Sequence, residues 1–183
     1  MNKRSDFADE WFNEDSNEIY QEKIEYLKNE LVLKWIKVNK NEKGFPNMKQ
    51  TYFLKQSGIL TINYAYEQDG VIVYPDLIKL KIALDNGEIL GIETTGYLNN
   101  HTVRDVSNIQ ISKEEAKANL NKNLEITSEG LAIIPTEWKT EILCYEFKGK
   151  IDDTDFLVYI NAETGREENI LVIIDTPNGI LTQ

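Results

Sequence analysis

The chain has 183 residues and a formal net charge of −11, with 41% hydrophobic and 28% charged residues. This length fits one domain or two small ones, and either choice leaves enough apolar residues for a core. The negative charge argues against binding to nucleic acid or anionic lipid headgroups, because their phosphates would repel it. The single cysteine excludes an intrachain disulfide, and no stretch approaches the roughly 18 apolar residues of a membrane span.

The N-terminal part of the sequence predicts a leader and one helix. Residues 1–15 are polar and acidic, which predicts a poorly ordered leader without the apolar region of a secretory signal. From residue 16, apolar side chains recur at spacings of three and four, which is typical of an amphipathic helix that ends before Gly44 and Pro46. We interpret its apolar face as packing on a sheet; a partner-binding helix is the alternative.

A series of strands follows the predicted helix. The predicted strands are residues 48–55, 59–67, 71–74 and 78–84, with a return through 89–92. Asp69-Gly70 predicts a tight hairpin, and Pro75 predicts an edge strand or a bulge. Asn86-Gly87 has the composition of a two-residue turn. Because no helix separates these strands, the sheet is predicted to be antiparallel.

The second half begins after a predicted loop over residues 96–105. Ser112 and Glu115 have the spacing of a capping box, so a helix is predicted there, with Ala116 and Leu120 on its apolar face. Further strands are predicted at 131–134, 138–148, 156–162 and 168–174, before a closing turn at 175–179 and a short tail. Each half thus reads as a helix followed by an antiparallel sheet, an α+β arrangement.

The same strand–turn–strand pattern occurs twice. Aligning Gly87 with Gly165 pairs Leu80 with Val158, and the flanking apolar positions also coincide. Two matching units in two halves predict two copies of one small domain, over residues 16–105 and 106–183.

Few side chains offer reactive chemistry. His101 is the only histidine, so a histidine metal cluster is excluded and a surface or loop-packing role is expected. Cys144 lies in a strand pattern, where a free cysteine usually behaves as a small apolar residue. A Cys144–His101 nucleophile pair would require the fold to bring the linker and the strand together.

Acidic residues are common, so pairs of them carry little information. Asp152, Asp153 and Asp155 could hold a hard cation, but they lack the spacing, central glycine and final glutamate of a calcium-binding loop. We predict a solvated turn instead. The acids at the hairpin tips, which serve turn geometry and solubility, are Asp85, Glu88 and Glu163. No residue is therefore assigned as catalytic, cofactor-binding or metal-binding, and no cofactor is expected.

Several sequence strings resemble a known family. The Ser-Lys-Glu-Glu-Ala opening at 112–116 and the Asn-Ala-Glu-Thr-Gly-Arg-Glu hairpin at 161–167 resemble a PepSY domain. The first half departs from this pattern at its hairpin and lacks the opening signature. The longer strings are Val-Tyr-Pro-Asp at 73–76, Ala-Leu-Asp-Asn-Gly-Glu at 83–88, Tyr-Leu-Asn-Asn-His at 97–101, Leu-Cys-Tyr-Glu-Phe at 143–147 and Ile-Asn-Ala-Glu-Thr-Gly at 160–165. Together they resemble the C-terminal region of the YpeB family of spore germination proteins, over residues 16–183.

This resemblance implies a fold and a role. It implies two tandem PepSY-like units, each a helix packed on an antiparallel sheet, and a non-enzymatic module. The implied partner is a SleB-like cortex-lytic enzyme, and each protein would depend on the other for stability in the spore. The implied location is the outer side of the inner spore membrane, reached through an N-terminal anchor that this sequence lacks, so a soluble C-terminal piece is expected.

The binding surface and two alternative functions stay open at this stage. The strand at residues 71–74 is predicted to be an exposed edge that accepts a strand or loop of the partner. A secreted peptidase inhibitor or propeptide-like module is the first alternative. A hydrolase would depend on Cys144, His101 and scattered acids.

Overall fold

The computed structural model describes residues 47–138, 140–176 and 179–182, with side chains described up to residue 174. The predicted leader and the predicted helix from residue 16 lie outside the described residues. Within the described part of the chain, no helix is long and apolar enough to cross a membrane.

The described residues form an α+β fold dominated by strands. The strands are β1 (Met48–Gln56), β2 (Ile59–Gln68), β3 (Val71–Ala83), β4 (Ile89–Glu93), β5 (Glu125–Pro135), β6 (Glu141–Ile151), β7 (Thr154–Asn161), β8 (Glu167–Thr176) and β9 (Gly179–Thr182). Two short helices lie between β4 and β5, namely α1 (Thr95–Asn100) and α2 (Lys113–Ala118).

All nine strands belong to one sheet, with the order β2-β1-β9-β8-β7-β6-β5-β3-β4 and a further pairing of β2 with β3. The pairings therefore form a closed circuit from which β4 branches. Strands of both halves share this sheet, and β3 pairs with β5 in parallel at residues 71–73. Every strand pair within a half is antiparallel, as predicted. The β3–β5 pair, which joins the halves, is parallel because the long connection through α1 and α2 allows the chain to return in the same direction.

Two local features of the first half form as predicted, the hairpin at Asp69-Gly70 and the bulge at Pro75. Asp69 and Gly70 both have positive φ, 51° and 83°, which confirms the tight hairpin. β3 bulges around Pro75, since Ala65 pairs with Leu77 while the next residue of β2 pairs with Val73. This confirms the predicted bulge.

The predicted two-residue turn at Asn86-Gly87 is wrong. Among the residues of this loop only Gly87 has a positive φ, 72°, whereas the tight turn predicted there requires two. A five-residue loop, residues 84–88, connects the strands instead, and Asn86 Oδ1 accepts a hydrogen bond from the Glu88 backbone N–H at 2.8 Å.

The second hairpin repeats this loop in its backbone. Gly87 N donates to Ala83 O at 2.9 Å, and Gly165 N donates to Asn161 O at 2.9 Å. The two glycines have φ values of 72° and 73°. Both loops are therefore closed in the same way, and both glycines serve as turn formers.

The strand register on either side of the two loops also matches. Leu80 lies opposite Ile92 in the β3–β4 pair, and Val158 lies opposite Ile170 in the β7–β8 pair. Each pair has its register shift at the corresponding position. The predicted correspondence of the two halves is therefore confirmed for these strands.

Helix α2 covers one face of β6 and β7. Ser112 Oγ accepts from Glu115 N, and Glu115 Oε2 accepts from Ser112 N at 2.7 Å, which confirms the capping box. Ala116 and Leu120 pack in one cluster with strand residues such as Phe147. The helix ends at Ala118, so Leu120 reaches the cluster from the segment that follows it.

Several predicted elements differ from the observed ones. The strands predicted at 71–74 and 78–84 are one strand, β3, and the strand predicted at 131–134 begins at Glu125. The predicted loop over 96–105 contains α1, in which Gly96 approaches β3 so closely that a Cβ would lie 2.9 Å from Leu77 O. β6 begins at Glu141 instead of 138, and Trp138, which is 86% exposed, lies in the preceding turn. The predicted tail after residue 179 forms β9, since it finds an unpaired edge on β8.

Candidate functional site

A partly buried charged cluster joins the β3 bulge, the linker and β6. We call it the Asp76 cluster, and its members are Asp76, His101, Arg104 and Glu141. The bulge around Pro75 turns Asp76 away from the regular ladder, and its side chain is fully buried. A buried carboxylate requires a cation or several donors.

Arg104 supplies the cation. Its Nη2 and Nη1 atoms donate to Asp76 Oδ1 and Oδ2 at 2.8 and 2.9 Å, which is a bidentate pair. On the other side, Arg104 Nε and Nη2 donate to Glu141 at 2.6 and 2.8 Å. Hydrogen bonding to Glu141, and then to Asp76, raises the pKa of the Arg104 guanidinium. The Arg104 guanidinium thus links β3 to the start of β6 through hydrogen bonds to both.

His101 lies at the edge of this cluster. Its Nδ1 atom is 2.7 Å from Asp76 Oδ2, and its ring stacks on Tyr97 at a centroid distance of 4.2 Å. Tyr66 meets the same ring edge-on at 4.6 Å. A histidine oriented by a carboxylate is one part of a nucleophilic triad, which also needs a nucleophile at the other ring nitrogen.

Cys144 does not meet that requirement. Its side chain is fully buried in a cluster with Ala132, Ile134 and Tyr159. His101 instead contacts Asp76 and the rings of two tyrosines. Burial raises the pKa of the Cys144 thiol to about 12, so the thiolate that nucleophilic attack needs is disfavoured. The prediction that Cys144 acts as a small apolar core residue is confirmed.

The acidic turn at residues 152–155 forms the β6–β7 hairpin. Asp152 has a φ of 53°, and Asp155 pairs with Lys150 at 3.8 Å. Among the residues that the structure describes, no group of His, Cys, Asp and Glu is arranged to hold a metal ion.

A partly open cavity of about 370 Å³ lies against the strands of the circuit. Its lining comes from β1, β3 and β5 through β8 and includes Tyr52, Tyr74, Ile134, Glu146, Leu157 and Tyr159. Tyr74 Oη donates to Glu146 Oε2 at 2.7 Å, and the Tyr74 and Tyr159 rings meet edge-to-face at 6.3 Å. A carboxylate between two phenols is therefore the chemical centre of this cavity.

Burial governs the ionisation of Glu146. It raises the pKa of the carboxyl group, while hydrogen bonds with Tyr74 and Tyr159 act in the opposite direction with smaller effect. The carboxylate form of Glu146 is therefore held at an energetic cost that a cation would relieve.

Sequence reasoning missed Arg104 and Glu146. Arg104 belongs to a linker with no periodicity, so nothing local indicated a buried partner. Glu146 offered a signal, since it is the one charged residue in the otherwise apolar stretch of residues 142–147. A charge in such a position favours a functional or paired role.

Two family models match the chain. Residues 40–107 match the YpeB sporulation, PepSY1 and PepSY2 domains, and residues 110–171 match PepSY, the peptidase propeptide and YPEB domain. A sporulation protein YpeB from Halalkalibacterium halodurans is 40% identical over 124 residues, 68% of this chain and 28% of the relative. The chain belongs to the YpeB family. It is thereby related to sporulation proteins.

A further YpeB sequence and a solved YpeB structure are also similar to this chain. The sporulation protein YpeB of Oceanobacillus iheyensis is 43% identical over 106 residues, 58% of this chain and 24% of the relative. A solved structure, the Bacillus megaterium YpeB C-terminal domain, has a TM-score of 0.72 and 30% identity over 87% of this chain and 66% of that chain. The chain spans about a quarter of the length of the curated YpeB relatives it matches.

Two of the sequence strings that resemble the YpeB family lie next to each other in the fold. The string at 73–76 forms the β3 bulge, and the string at 97–101 ends in the histidine that contacts it. Asn100 Nδ2 also donates to Pro75 O at 3.0 Å. Two strings that are distant in the sequence thus meet at the Asp76 cluster, which stabilises the connection between the two halves.

Proposed function

We propose that this chain is a non-enzymatic regulatory and binding module of a spore germination protein. In this proposal it acts with a SleB-like cortex-lytic enzyme, whose stability and activity it controls until cortex peptidoglycan is broken down. The similarity to sporulation proteins named YpeB is the observation that carries the proposal. The proposed location is the outer side of the inner spore membrane, as part of a longer anchored protein.

The chemistry of the described residues favours binding over catalysis. The Asp76 carboxylate, which orients His101, is already held by Arg104, and Cys144 is buried with a raised thiol pKa. These side chains serve stability in this proposal. The hydrolase alternative predicts peptidoglycan digestion that is lost in Cys144→Ala or His101→Ala.

A calorimetric titration with the cognate cortex-lytic enzyme tests the main proposal. We expect saturable binding, together with a slower loss of the enzyme to proteolysis when this chain is present. Bovine serum albumin at the same concentration is the control for non-specific protection. If neither this chain nor the longer ectodomain binds the enzyme, the proposal is wrong.

We also propose that the chain consists of two tandem PepSY-like units, over residues 16–105 and 106–183, each a helix packed on an antiparallel sheet. Leu60 lies opposite Ile82 in the first half, as Tyr145 lies opposite Ile160 beneath α2 in the second. Both pairs belong to buried clusters. Deletion of residues 16–43 should therefore expose the first cluster and increase the binding of a fluorescent apolar dye.

A second candidate function is inhibition of an envelope peptidase. The description of the family model that matches residues 110–171 includes a peptidase propeptide, which favours this alternative. Dose-dependent inhibition of purified envelope proteases, without binding to the cortex-lytic enzyme, would select it over the main proposal.

A further inference from the structure

Among the described strands, the circuit has an opening between β1 and β8. β1 shares a single residue pair with β9, Leu54 with Gly179, and β9 pairs with β8 only over residues 173–176. Within the described residues, positions 48–52 of β1 and 167–172 of β8 therefore have no strand partner on the side of the opening. Unpaired strand edges of this kind readily accept an added strand.

The opening has the width of one strand at its closed end. β9 lies there between β1 and β8, and neighbouring strands are about 4.8 Å apart, so β1 and β8 are separated by about 10 Å. β9 is antiparallel to both of them. A strand that continues in line with β9 would thus be antiparallel to two edges at once.

The cavity lies behind this opening. Thr51 and Tyr52 line it from β1, and Asn169 and Leu171 line it from β8. Alternate side chains of an inserted strand point to opposite faces of the sheet, so every second side chain would enter the cavity. The volume of about 370 Å³ accommodates a large side chain.

Glu146 determines which side chain fits. Among the described residues it forms no ion pair, although Lys148 lines the same cavity. A largely desolvated carboxylate without a cation favours the arrival of one, and the Tyr74 and Tyr159 rings add attraction for a cation. The net charge of −11 acts in the same direction.

We propose that the opening between β1 and β8 receives an extended segment of the cortex-lytic enzyme, antiparallel to both strands, with a lysine or arginine side chain directed at Glu146. The identity of the partner rests on the proposed function. The insertion would complete the strand circuit and neutralise the partly buried Glu146 carboxylate in one step. The predicted edge at residues 71–74 cannot play this role, because β2 and β5 occupy both of its sides.

A peptide tests the groove without the enzyme. The probe is a short blocked peptide of alternating valine and threonine with one central lysine, and its matched control carries norleucine in place of the lysine. We expect the lysine peptide to bind at least about tenfold more tightly and to slow amide hydrogen exchange at residues 48–52 and 167–172. Equal binding of the two peptides, or slowing at other strands, would overturn the proposal.

Two variants test the role of the cavity. Glu146→Gln keeps a hydrogen-bond acceptor for Tyr74 and should remove the preference for lysine, whereas Glu163→Gln at the exposed hairpin tip should leave it unchanged. Asn169 is an exposed residue of β8 that lines the cavity, so Asn169→Trp places a bulky ring there and should block the binding of both peptides. Thermal unfolding of each variant verifies that it is folded. A lysine preference that persists in folded Glu146→Gln contradicts the proposal.

The enzyme itself then separates this inference from the proposed function. Competition between the enzyme and the lysine peptide, with slowed exchange at both edges, supports the two together. Enzyme binding that slows exchange elsewhere overturns the groove and leaves the proposed function intact. Peptide binding without enzyme binding overturns the choice of partner along with the proposed function. A dimer in sedimentation that the peptide dissociates would assign the groove to a second copy of this chain.

Discussion

Replacement of Arg104 by methionine is expected to destabilise the fold strongly. The methionine retains the apolar stem but leaves the Asp76 carboxylate, 0% exposed, without its bidentate partner. Removing one member of a buried ion pair costs about 3–5 kcal/mol. The total stability of a domain is roughly 5–15 kcal/mol, so this loss is a large fraction of it. The hydrogen bond between His101 and Asp76 places the expected value near the lower end.

Chemical denaturation followed by circular dichroism measures this loss. For a chain of this size, each kcal/mol shifts Tm by about 2–4 °C, so a loss near 3 kcal/mol should lower Tm by about 6–12 °C in thermal unfolding. Glu141→Gln is the matched control, because it removes the outer carboxylate, whose side chain is 34% exposed, and should cost about 1 kcal/mol or less.

A double variant separates the ion pair from simple loss of packing. Combining Arg104→Met with Asp76→Asn removes the stranded charge, so the double variant should lose at least about 1 kcal/mol less than the sum of the two single variants. Additive losses, or a loss below about 1 kcal/mol in Arg104→Met alone, would refute the reasoning.

Three further predictions concern other parts of the fold. Burial raises the pKa of Glu146, so the folded state holds its proton more tightly than the unfolded state. The free energy of unfolding should therefore fall as pH rises from about 4.5 through the raised pKa. Denaturation curves at several pH values should show a smaller fall for Glu146→Gln, and an unchanged slope would contradict this prediction. Cys144 should react with a thiol reagent at pH 8 only after unfolding, and rapid labelling of the native chain would show that the thiol is accessible. Gly70→Ala should lower the free energy of unfolding by about 1–2 kcal/mol, because φ is 83° there. Gly91→Ala, where a Cβ meets nothing within 4 Å, should change it by no more than about 0.5 kcal/mol. Equal effects of the two variants would refute the turn argument.

Local chemistry predicted several elements correctly. Ser112 and Glu115 form the capping box that their spacing indicated, and the Asp69-Gly70 hairpin and the bulge near Pro75 also follow from nearby residues. These features depend on hydrogen bonds and dihedral preferences within a few residues, so the sequence contains what is needed to predict them. The same reasoning failed at Asn86-Gly87, where the side chain of Asn86 closes a longer loop.

Long-range partners could not be predicted in this way. Arg104 pairs with Asp76 and with Glu141, which lie 28 and 37 positions away in the sequence. The choice depends on the path of the linker past the β3 bulge. The partial burial of Glu146 likewise depends on strands from both halves of the chain.

The amino-acid sequence by itself determined the α+β class, the positions of most strands and turns, the repeat of the two hairpins and the resemblance to the YpeB family. Tertiary structure decided that β3 pairs in parallel with β5 and that β9 joins β8 to β1. It also decided that the described strands leave an opening between β1 and β8, with Glu146 behind it. Periodicity and turn chemistry act over a few residues, whereas strand partners are selected by burial and loop closure between distant segments.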